Sequence, residues 1–287
     1  MSLAQFIYTE VLKPRPLRVL TNAILLRIIP RVTRVGPARV YLDPEDPVLS
    51  GAVALRVYEP SELYFFQKHC RADMVLVDIG ANVGLYTALA MHSLNANGRI
   101  VSVEPRPQTF AFLERNIAEN RRADGPRADA LNMAAAAEHG ARLLFQNPEN
   151  KADNRLYANS GQNWEGIEVE SGPLDAQLEA LRIQQVNFVK ADVQGYEQMA
   201  LRGLRQTLHR SERVILMTEF WPKGLRDAGG DAPSYLQELT DLGFKLYELK
   251  ETPRGKLVPI EDWERLIHNL PGRKYMNLVG LKGYNIS

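Results

Sequence analysis

The apolar run Met74–Ile79 ends in a segment with the pattern D-x-G-x-x-x-G, formed by Asp78, Gly80 and Gly84. Gly80 lets the chain turn sharply as it leaves a strand, and Gly84 lets the start of the next helix approach a bound ligand. Asp78, at the strand end, can accept hydrogen bonds from loop amides or from a ligand's amino group. Asn82 stands where the pyrophosphate-binding fingerprint G-x-G-x-x-G has its middle glycine. The pattern therefore favours a ligand without a phosphate.

Glu104 ends the next apolar run, twenty positions after Gly84. A carboxylate at that strand end can accept hydrogen bonds from both hydroxyls of a bound ribose. S-adenosylmethionine has a ribose, a sulfonium and no phosphate, so a turn flanked by acids suits it better than a dinucleotide. These residues predict S-adenosylmethionine as the cofactor. The alternatives are an NAD(P)-dependent oxidoreductase on a Rossmann-like fold and a non-catalytic module that binds a cofactor or a glycan.

Lys190 and Asp192 interrupt the apolar run Val186–Asp192, and because they are two apart they lie on the same face of a strand. A charge in a strand buried on both faces must be paired or lie at its solvated end. A hydroxyl that attacks a sulfonium methyl in line must also lose its proton, so a base or a metal must assist. We predict Asp192 as the base or the residue that orients the acceptor hydroxyl. Lys190 would hold it, and Glu219, at the next strand end, would be a further catalytic acid.

Two alternatives for these charged residues stay open. Lys190 and Asp192 could form a structural ion pair with Glu197 or Glu219. Asp192 and Glu219 could instead hold a divalent cation through oxygen ligands. The sequence contains no H-E-x-x-H or C-x-x-C motif, so we assign no metal ligand and a metal cofactor stays unsupported.

The elements that position these residues follow a repeated order of strand and helix from residue 73 onward, which predicts an α/β fold with a doubly wound, mostly parallel sheet. The strongest apolar runs are continuous rather than alternating, as strands covered on both faces require. A single helix is expected around 201–208 and a hairpin or long excursion over 140–173. We assign residues 73–287 to the cofactor-binding domain and residues 1–72 to a basic, helical and extended segment that packs on it. Strands are expected at 74–79, 99–104, 129–133, 186–192, 214–219, 244–249 and 277–281.

Three further residues are candidates for cofactor contact. Asn132 and Ala134 follow the third predicted strand and are placed to contact the adenine, or else they only cap that strand end. Glu59, in the segment that enters the domain, is expected to close over the cofactor, or else to cap the helix that begins near Ser61.

Several motifs in fixed order carry a family resemblance over about Tyr58 to Glu219. They are Tyr58-Glu-Pro60, Val77-Asp-Ile-Gly-Ala-Asn-Val-Gly84, Val103-Glu-Pro105, Leu174-Asp175 and Lys190-Ala-Asp-Val-Gln-Gly-Tyr-Glu197. With them the sequence resembles the FkbM-type methyltransferase family. The resemblance implies a class I methyltransferase fold, S-adenosylmethionine as donor, and O-methylation of a sugar, glycan or polyketide-type hydroxyl. Gln194 departs from the family, which more often has Glu there, and this weakens any role for a charge at that position.

Composition and charge limit the partners. A net charge of +1 gives no argument for nucleic acid, and the single cysteine, Cys70, excludes an intrachain disulfide and favours the cytoplasm. Residues 1–40 carry seven Lys and Arg residues against one Glu, with an apolar helical stripe over 17–28. Such a helix suits the anionic inner surface of a membrane, its own domain or a second copy in a homo-oligomer. The acceptor is expected to be a small molecule or a glycan.

Overall fold

The computed structural model describes residues 30–148, 150–158 and 163–284. The apolar stripe predicted over 17–28 lies outside these residues. Within the described part of the chain, no helix is both long enough and apolar enough to cross a membrane.

The central element is an eight-stranded sheet. From one edge to the other its strands are β12 (Lys256–Pro259), β11 (Lys245–Lys250), β13 (Met276–Lys282), β10 (Val214–Phe220), β9 (Phe188–Ala191), β3 (Val75–Ile79), β4 (Arg99–Val103) and β5 (Arg127–Leu131). The five strands from β10 to β5 run parallel, and β13, β11 and β12 form an antiparallel edge. Most residues of β3, β4, β9 and β10 are buried, because helices cover both faces. The α/β class with a mostly parallel sheet is therefore confirmed.

The helices of the described residues pack on both faces of this sheet. The helix that follows the glycine turn is buried over most of its length, whereas the next one is amphipathic and buries Leu113 and Ile117. The helices are α1 (Pro47–Ala54), α2 (Pro60–His69), α3 (Leu85–Ser93), α4 (Pro107–Glu119), α5 (Leu174–Ala180), α6 (Glu197–Arg202), α7 (Arg205–Arg210), α8 (Pro222–Asp227), α9 (Ala232–Asp241) and α10 (Trp263–His268).

The described part of the N-terminal region is an antiparallel hairpin, β1 (Val32–Val35) and β2 (Ala38–Tyr41), followed by α1 and α2. The hairpin is hydrogen-bonded to side chains of α4. The Tyr41 amide donates to Asn116 Oδ1 over 2.7 Å, and Asn116 Nδ2 donates to the Tyr41 carbonyl over 2.9 Å. Residues 30–72 thus lie against the sheet domain. The division of the chain at residue 72 stays a prediction.

The region 140–173 contains a hairpin that stands beside the main sheet. Strands β7 (Gly140–Gln146) and β8 (Glu165–Gly172) pair antiparallel, and the two-residue β6 (Ala134–Ala135) pairs parallel with β8. Part of the connection returns to β7, because Arg155 and Phe145 exchange backbone hydrogen bonds. Residues of the connection, among them Ala152 and Leu156, line a cavity together with Ile79 at the carboxyl end of β3.

Two local predictions are corrected. The third parallel strand ends at Leu131 instead of Met133, because it pairs with β4, whose last residue, Val103, lies opposite Leu131. The helix expected over 201–208 is two short helices separated at Gly203, where a Cβ would overlap the Ala136 carbonyl oxygen.

Candidate active site

The glycine turn brings the end of β3 against the end of β9. Gly80 has a φ of +73°, and a Cβ there would overlap the carbonyl oxygen of Asp192. The Asp192 amide also donates to the Ile79 carbonyl over 3.1 Å. Asn82 takes a left-handed φ of 51° without being glycine. The turn and the residue after β9 therefore form one continuous surface.

Glu104 lies at the end of β4 with both carboxylate oxygens engaged by the backbone. Oε2 accepts from the Asn82 amide over 3.1 Å, and Oε1 accepts from the Arg106 amide over 2.9 Å. Burial raises the pKa of Glu104 to about 7, although these hydrogen bonds oppose the shift. Each oxygen retains a lone pair for a ligand hydroxyl.

Asp78 is buried beneath the turn, 1 % exposed. Its Oδ2 accepts from Thr87 Oγ1 over 2.7 Å, and Thr87 in turn contacts Ser102 Oγ over 2.7 Å. Asp78 Oδ1 has no hydrogen-bond partner among the described residues. Burial raises the pKa of Asp78, and the positive charge of Lys190 opposes that shift.

Lys190 is the cation at the centre of this group, with its side chain 7 % exposed. Nζ lies 3.5 Å from Asp192 Oδ2 and 4.7 Å from the centroid of the Tyr86 ring. Burial disfavours the charge, but the carboxylates of Asp192, Asp78 and Glu59 outweigh it and raise the pKa of Lys190. The lysine is therefore held as an ammonium among carboxylates.

Glu59 stands where the chain enters α2 and has a left-handed φ of 38°. Its side chain does not cap that helix, since Glu59 Oε2 instead accepts from the Tyr86 hydroxyl over 2.6 Å. Burial raises the pKa of Glu59, with Lys190 acting against it. Of the two interpretations that the sequence left open, the geometry favours a side chain directed at the site.

Three carboxylates form a cluster at the carboxyl ends of β9 and β10. One oxygen each of Asp192, Glu197 and Glu219 lies within 4.8 Å of the others. Glu197 Oε1 accepts from the amides of Val193 and Gly195 over 3.0 and 3.1 Å. Burial raises the pKa of Glu197 to about 7 and raises that of Glu219, with Asp192 adding to both shifts. Such an oxygen set can share protons or accept a hard cation.

Two cavities meet where β3 and β9 end. The smaller, about 60 Å³, lies beside Glu104 and is partly covered by Leu144 and Leu156 of the 140–173 region. The larger, about 460 Å³, lies between the N-terminal helices and the carboxylate cluster. Residues that line both cavities mark the junction; they are Gly80, Asn82, Ala152, Asp192 and Gln194.

Most of the predicted site residues surround these cavities. Glu104 and Ala134 line the smaller one; Glu59, Lys190 and Glu219 line the larger one. Gly80, Asn82 and Asp192 lie at the junction. The structure thus brings together residues from the ends of β3, β4, β9 and β10, from β6 and from the segment before α2.

Three predicted residues line neither cavity: Asp78, Gly84 and Asn132. Gly84 instead permits close packing of two helices, because a Cβ there would come within 2.6 Å of Leu113 Cδ1. Asn132 Nδ2 donates to the backbone carbonyls of Glu104 and Pro105 over 2.9 and 3.1 Å. Asn132 therefore supports the Glu104 loop from outside.

The sequence does not single out three residues that line the larger cavity. Tyr86 carries a hydroxyl in the first turn of α3, two positions after Gly84, and this signal is present in the sequence. Glu62 Oε1 accepts a hydrogen bond from Asn277 Nδ2, and burial raises the pKa of Glu62 to about 7. These two residues are 215 positions apart, so no local pattern connects them.

Comparison with known proteins identifies the family to which the chain belongs. The family model described as Methyltransferase FkbM domain matches residues 78–246, more than half of the chain. The chain belongs to the FkbM methyltransferase family. It is an S-adenosylmethionine-dependent methyltransferase with a Rossmann-like sheet, as the resemblance implied.

The FkbM methyltransferase is similar to proteins from a fungus and an archaeon. Methyltransferase sdnD of Sordaria araneosa is 25% identical over 215 residues, covering 63% of this chain and 80% of that protein. Hexuronic acid methyltransferase AglP of Haloferax volcanii is 31% identical over 144 residues, covering 50% of this chain and 55% of AglP. A methyltransferase structure from Pyrococcus furiosus aligns over 94% of this chain and 98% of its own with a TM-score of 0.42 and 14% identity.

Proposed function

We propose that this methyltransferase transfers the methyl group of S-adenosylmethionine to a hydroxyl oxygen of a sugar, glycan or polyketide-type acceptor. The observation that carries the proposal is the position of Asp192. Its carboxylate lies at the junction of the two cavities, with its side chain 25% exposed and Lys190 within 3.5 Å. A carboxylate between a cofactor cavity and an acceptor cavity is suited to take a proton from an attacking hydroxyl.

The residues around the smaller cavity and its junction with the larger one fit S-adenosylmethionine, which is too large for the smaller cavity alone. Gly80 and Asn82 line both cavities, and Glu104 offers a buried carboxylate with free lone pairs toward ribose hydroxyls. We assign cofactor contact to Gly80, Asn82, Glu104 and Ala134, with Glu59 facing them across the larger cavity. Asp78 and Gly84 act indirectly, by fixing the turn. When bound, S-adenosylmethionine supplies a methyl group on a positively charged sulfur.

The chain's own residues position the acceptor and remove its proton. Asp192 accepts the proton of the acceptor hydroxyl, and the ammonium of Lys190, 3.5 Å from Oδ2, holds the carboxylate in place. Glu219, one strand away, contributes a second carboxyl on the acceptor side. Because both reactants are held in adjoining cavities, alignment of the attacking oxygen supplies part of the rate.

A polyhydroxylated acceptor is supported by the lining of the larger cavity. Its wall opposite the turn presents carboxyl, hydroxyl and amide groups, all of which can exchange hydrogen bonds with sugar hydroxyls. AglP, by its name, acts on a hexuronic acid, and this supports a sugar derivative as acceptor. The polar groups on that wall are Glu62, Thr218, Tyr275 and Asn277.

The proposal is tested by incubating the protein with S-adenosylmethionine and sets of sugars, sugar acids, glycans and polyketides, with mass spectrometry to detect gain of one methyl group. Fragmentation then locates the methyl on oxygen. Thermal stabilisation by S-adenosylmethionine and its demethylated product, but not by NAD, provides a binding readout that needs no acceptor. A methyl found only on nitrogen or carbon would contradict the proposed reaction.

A further inference from the structure

Gln194, two residues beyond Asp192, makes a direct contact with that carboxylate. Its Nε2 donates to Asp192 Oδ1 over 3.0 Å, while Lys190 Nζ lies 3.5 Å from Oδ2. Each oxygen of Asp192 therefore faces one donor, and the remaining lone pairs are available to an acceptor hydroxyl. Gln194 also lines both cavities, so the contact lies where the two reactants meet.

The backbone around Gln194 is held from both sides, which fixes the direction of its side chain. Gln194 has a left-handed φ of 55°, a conformation that costs a non-glycine residue free energy. Its carbonyl accepts from the Tyr157 hydroxyl over 2.7 Å, and Tyr157 is buried. The flanking amides of Val193 and Gly195 donate to the buried Glu197 carboxylate. The surroundings thus impose the conformation that aims the amide at Asp192.

The chemistry of this position depends on its being an amide. A Gln side chain donates to a carboxylate, whereas an ionised Glu of the same shape would repel it. Other acids already surround Asp192 from several elements, so a further negative charge at position 194 would be repelled by them and by Asp192. The titratable groups whose pKa the charge of Asp192 raises are Tyr58, Glu59 and Glu62 from around α2, Asp78 from β3, Lys190 from β9, Glu197 from α6, Glu219 from β10 and Tyr275 before β13.

We propose that Gln194 is a positioning residue for Asp192: its side-chain amide orients the carboxylate toward the acceptor cavity. This inference rests on the proposed function, in which Asp192 accepts the proton of the acceptor hydroxyl. Gln194 acts through Asp192 and does not itself exchange a proton.

The test compares Gln194→Met, which keeps the side-chain length but removes the donor, with Gln194→Glu, which keeps the shape but adds a charge. For Gln194→Met we expect kcat to fall by about tenfold, the loss typical of one hydrogen bond to a charged group, with unchanged affinity for S-adenosylmethionine. For Gln194→Glu we also expect the acid limb of the kcat/KM profile to move up by about one pH unit.

The matched control is Gln237→Met on the surface of α9. Gln237 Nε2 donates to Asp241 Oδ1 over 2.8 Å, the same amide-to-carboxylate contact in an exposed position. Its loss should leave kcat and the pH profile unchanged. Thermal unfolding of each variant separates misfolding from an effect on the reaction, and Gln194→Glu, being nearly isosteric, should remain folded.

Asp192→Asn, measured in parallel, separates failure of the role proposed for Gln194 from failure of the role proposed for Asp192. If Asp192→Asn abolishes turnover while both Gln194 variants keep normal kcat and pH profiles, the inference about Gln194 is overturned and the proposed function stands. If Asp192→Asn keeps full turnover, the proposed proton acceptor is wrong and the inference falls with it. Loss of kcat in Gln194→Met together with the shifted profile in Gln194→Glu supports the positioning role.

Discussion

Substitution of Gly80 by Ala should disrupt the junction between the glycine turn and the carboxylate that follows β9. The added Cβ would overlap the carbonyl oxygen of Asp192 and lie 3.1 Å from its carbonyl carbon and from Val193 Cγ1. The overlapped atom is backbone, so no side-chain rotation can relieve the contact. Restoring van der Waals separation requires the two chain segments to move apart by about 1 Å.

The size of the effect follows from two contributions. An Ala at a φ of +73° costs about 1–2 kcal/mol of native-state stability, and overpacking of a buried contact adds about 1–3 kcal/mol. A displacement of about 1 Å at the reacting groups can also lower turnover by about 100-fold. We therefore expect Gly80→Ala to lose about 2–5 kcal/mol in the free energy of unfolding and about two orders of magnitude in kcat/KM.

Gly229→Ala is the matched control, because Gly229 has a φ of +83° and a Cβ there would meet nothing within 4 Å. It should show only the backbone cost of about 1–2 kcal/mol, with normal affinity for S-adenosylmethionine. Denaturant unfolding gives the stability of each variant, and calorimetry and turnover give binding and activity. If Gly80→Ala matches Gly229→Ala in all three measurements, the proposed contact between the turn and Asp192 is wrong.

Two other predictions concern carboxylates with raised pKa values. Since Glu104 has a pKa of about 7 and ribose hydroxyls donate to its ionised form, affinity for S-adenosylmethionine should fall as pH drops below about 7. Calorimetry between pH 5.5 and 8.5 should show this slope for the native protein and not for Glu104→Gln. An equal slope in both proteins would contradict the role given to Glu104. Asp46 caps α1 by accepting from the Val48 and Leu49 amides, and burial raises its pKa from 3.8 to about 6. Because the folded state holds this proton more tightly than the unfolded state, stability should decline by about 2–3 kcal/mol as pH rises from about 4 to 6 and stay lower above that range. Asp46→Asn keeps the capping oxygen without the charge, so denaturant unfolding at pH 8 should find it more stable than the native protein, and lower stability there would refute the argument.

The strand ends that carry the site could be predicted because their signals are local. Continuous apolar runs located β3, β4 and β9, and parallel strands place their carboxyl ends at one edge of the sheet. Gly80, Glu104 and Asp192 therefore converge, although the sequence separates Gly80 from Asp192 by more than a hundred residues. The alternation of strands and helices was sufficient for this part of the fold.

The remaining features depend on contacts that no local pattern specifies. The hydrogen bond between Glu62 and Asn277 joins α2 to β13, and that between Glu59 and Tyr86 joins the segment before α2 to α3. Gly84 carries a signal that suits ligand approach as well as helix packing, and only the position of Leu113 decides between them. Tertiary contacts also end the helix at Gly203, where the sequence pattern alone continues it.

The most direct test of the account is single-turnover methyl transfer by Asp192→Asn, measured alongside its affinity for S-adenosylmethionine. Asp124→Asn, which changes an exposed carboxylate, is the control for loss of a negative charge. We predict that Asp192→Asn binds S-adenosylmethionine normally but transfers no methyl to an acceptor hydroxyl, while Asp124→Asn behaves as the native protein. Methyl transfer at the native rate by Asp192→Asn would contradict the assignment of Asp192 as the proton acceptor.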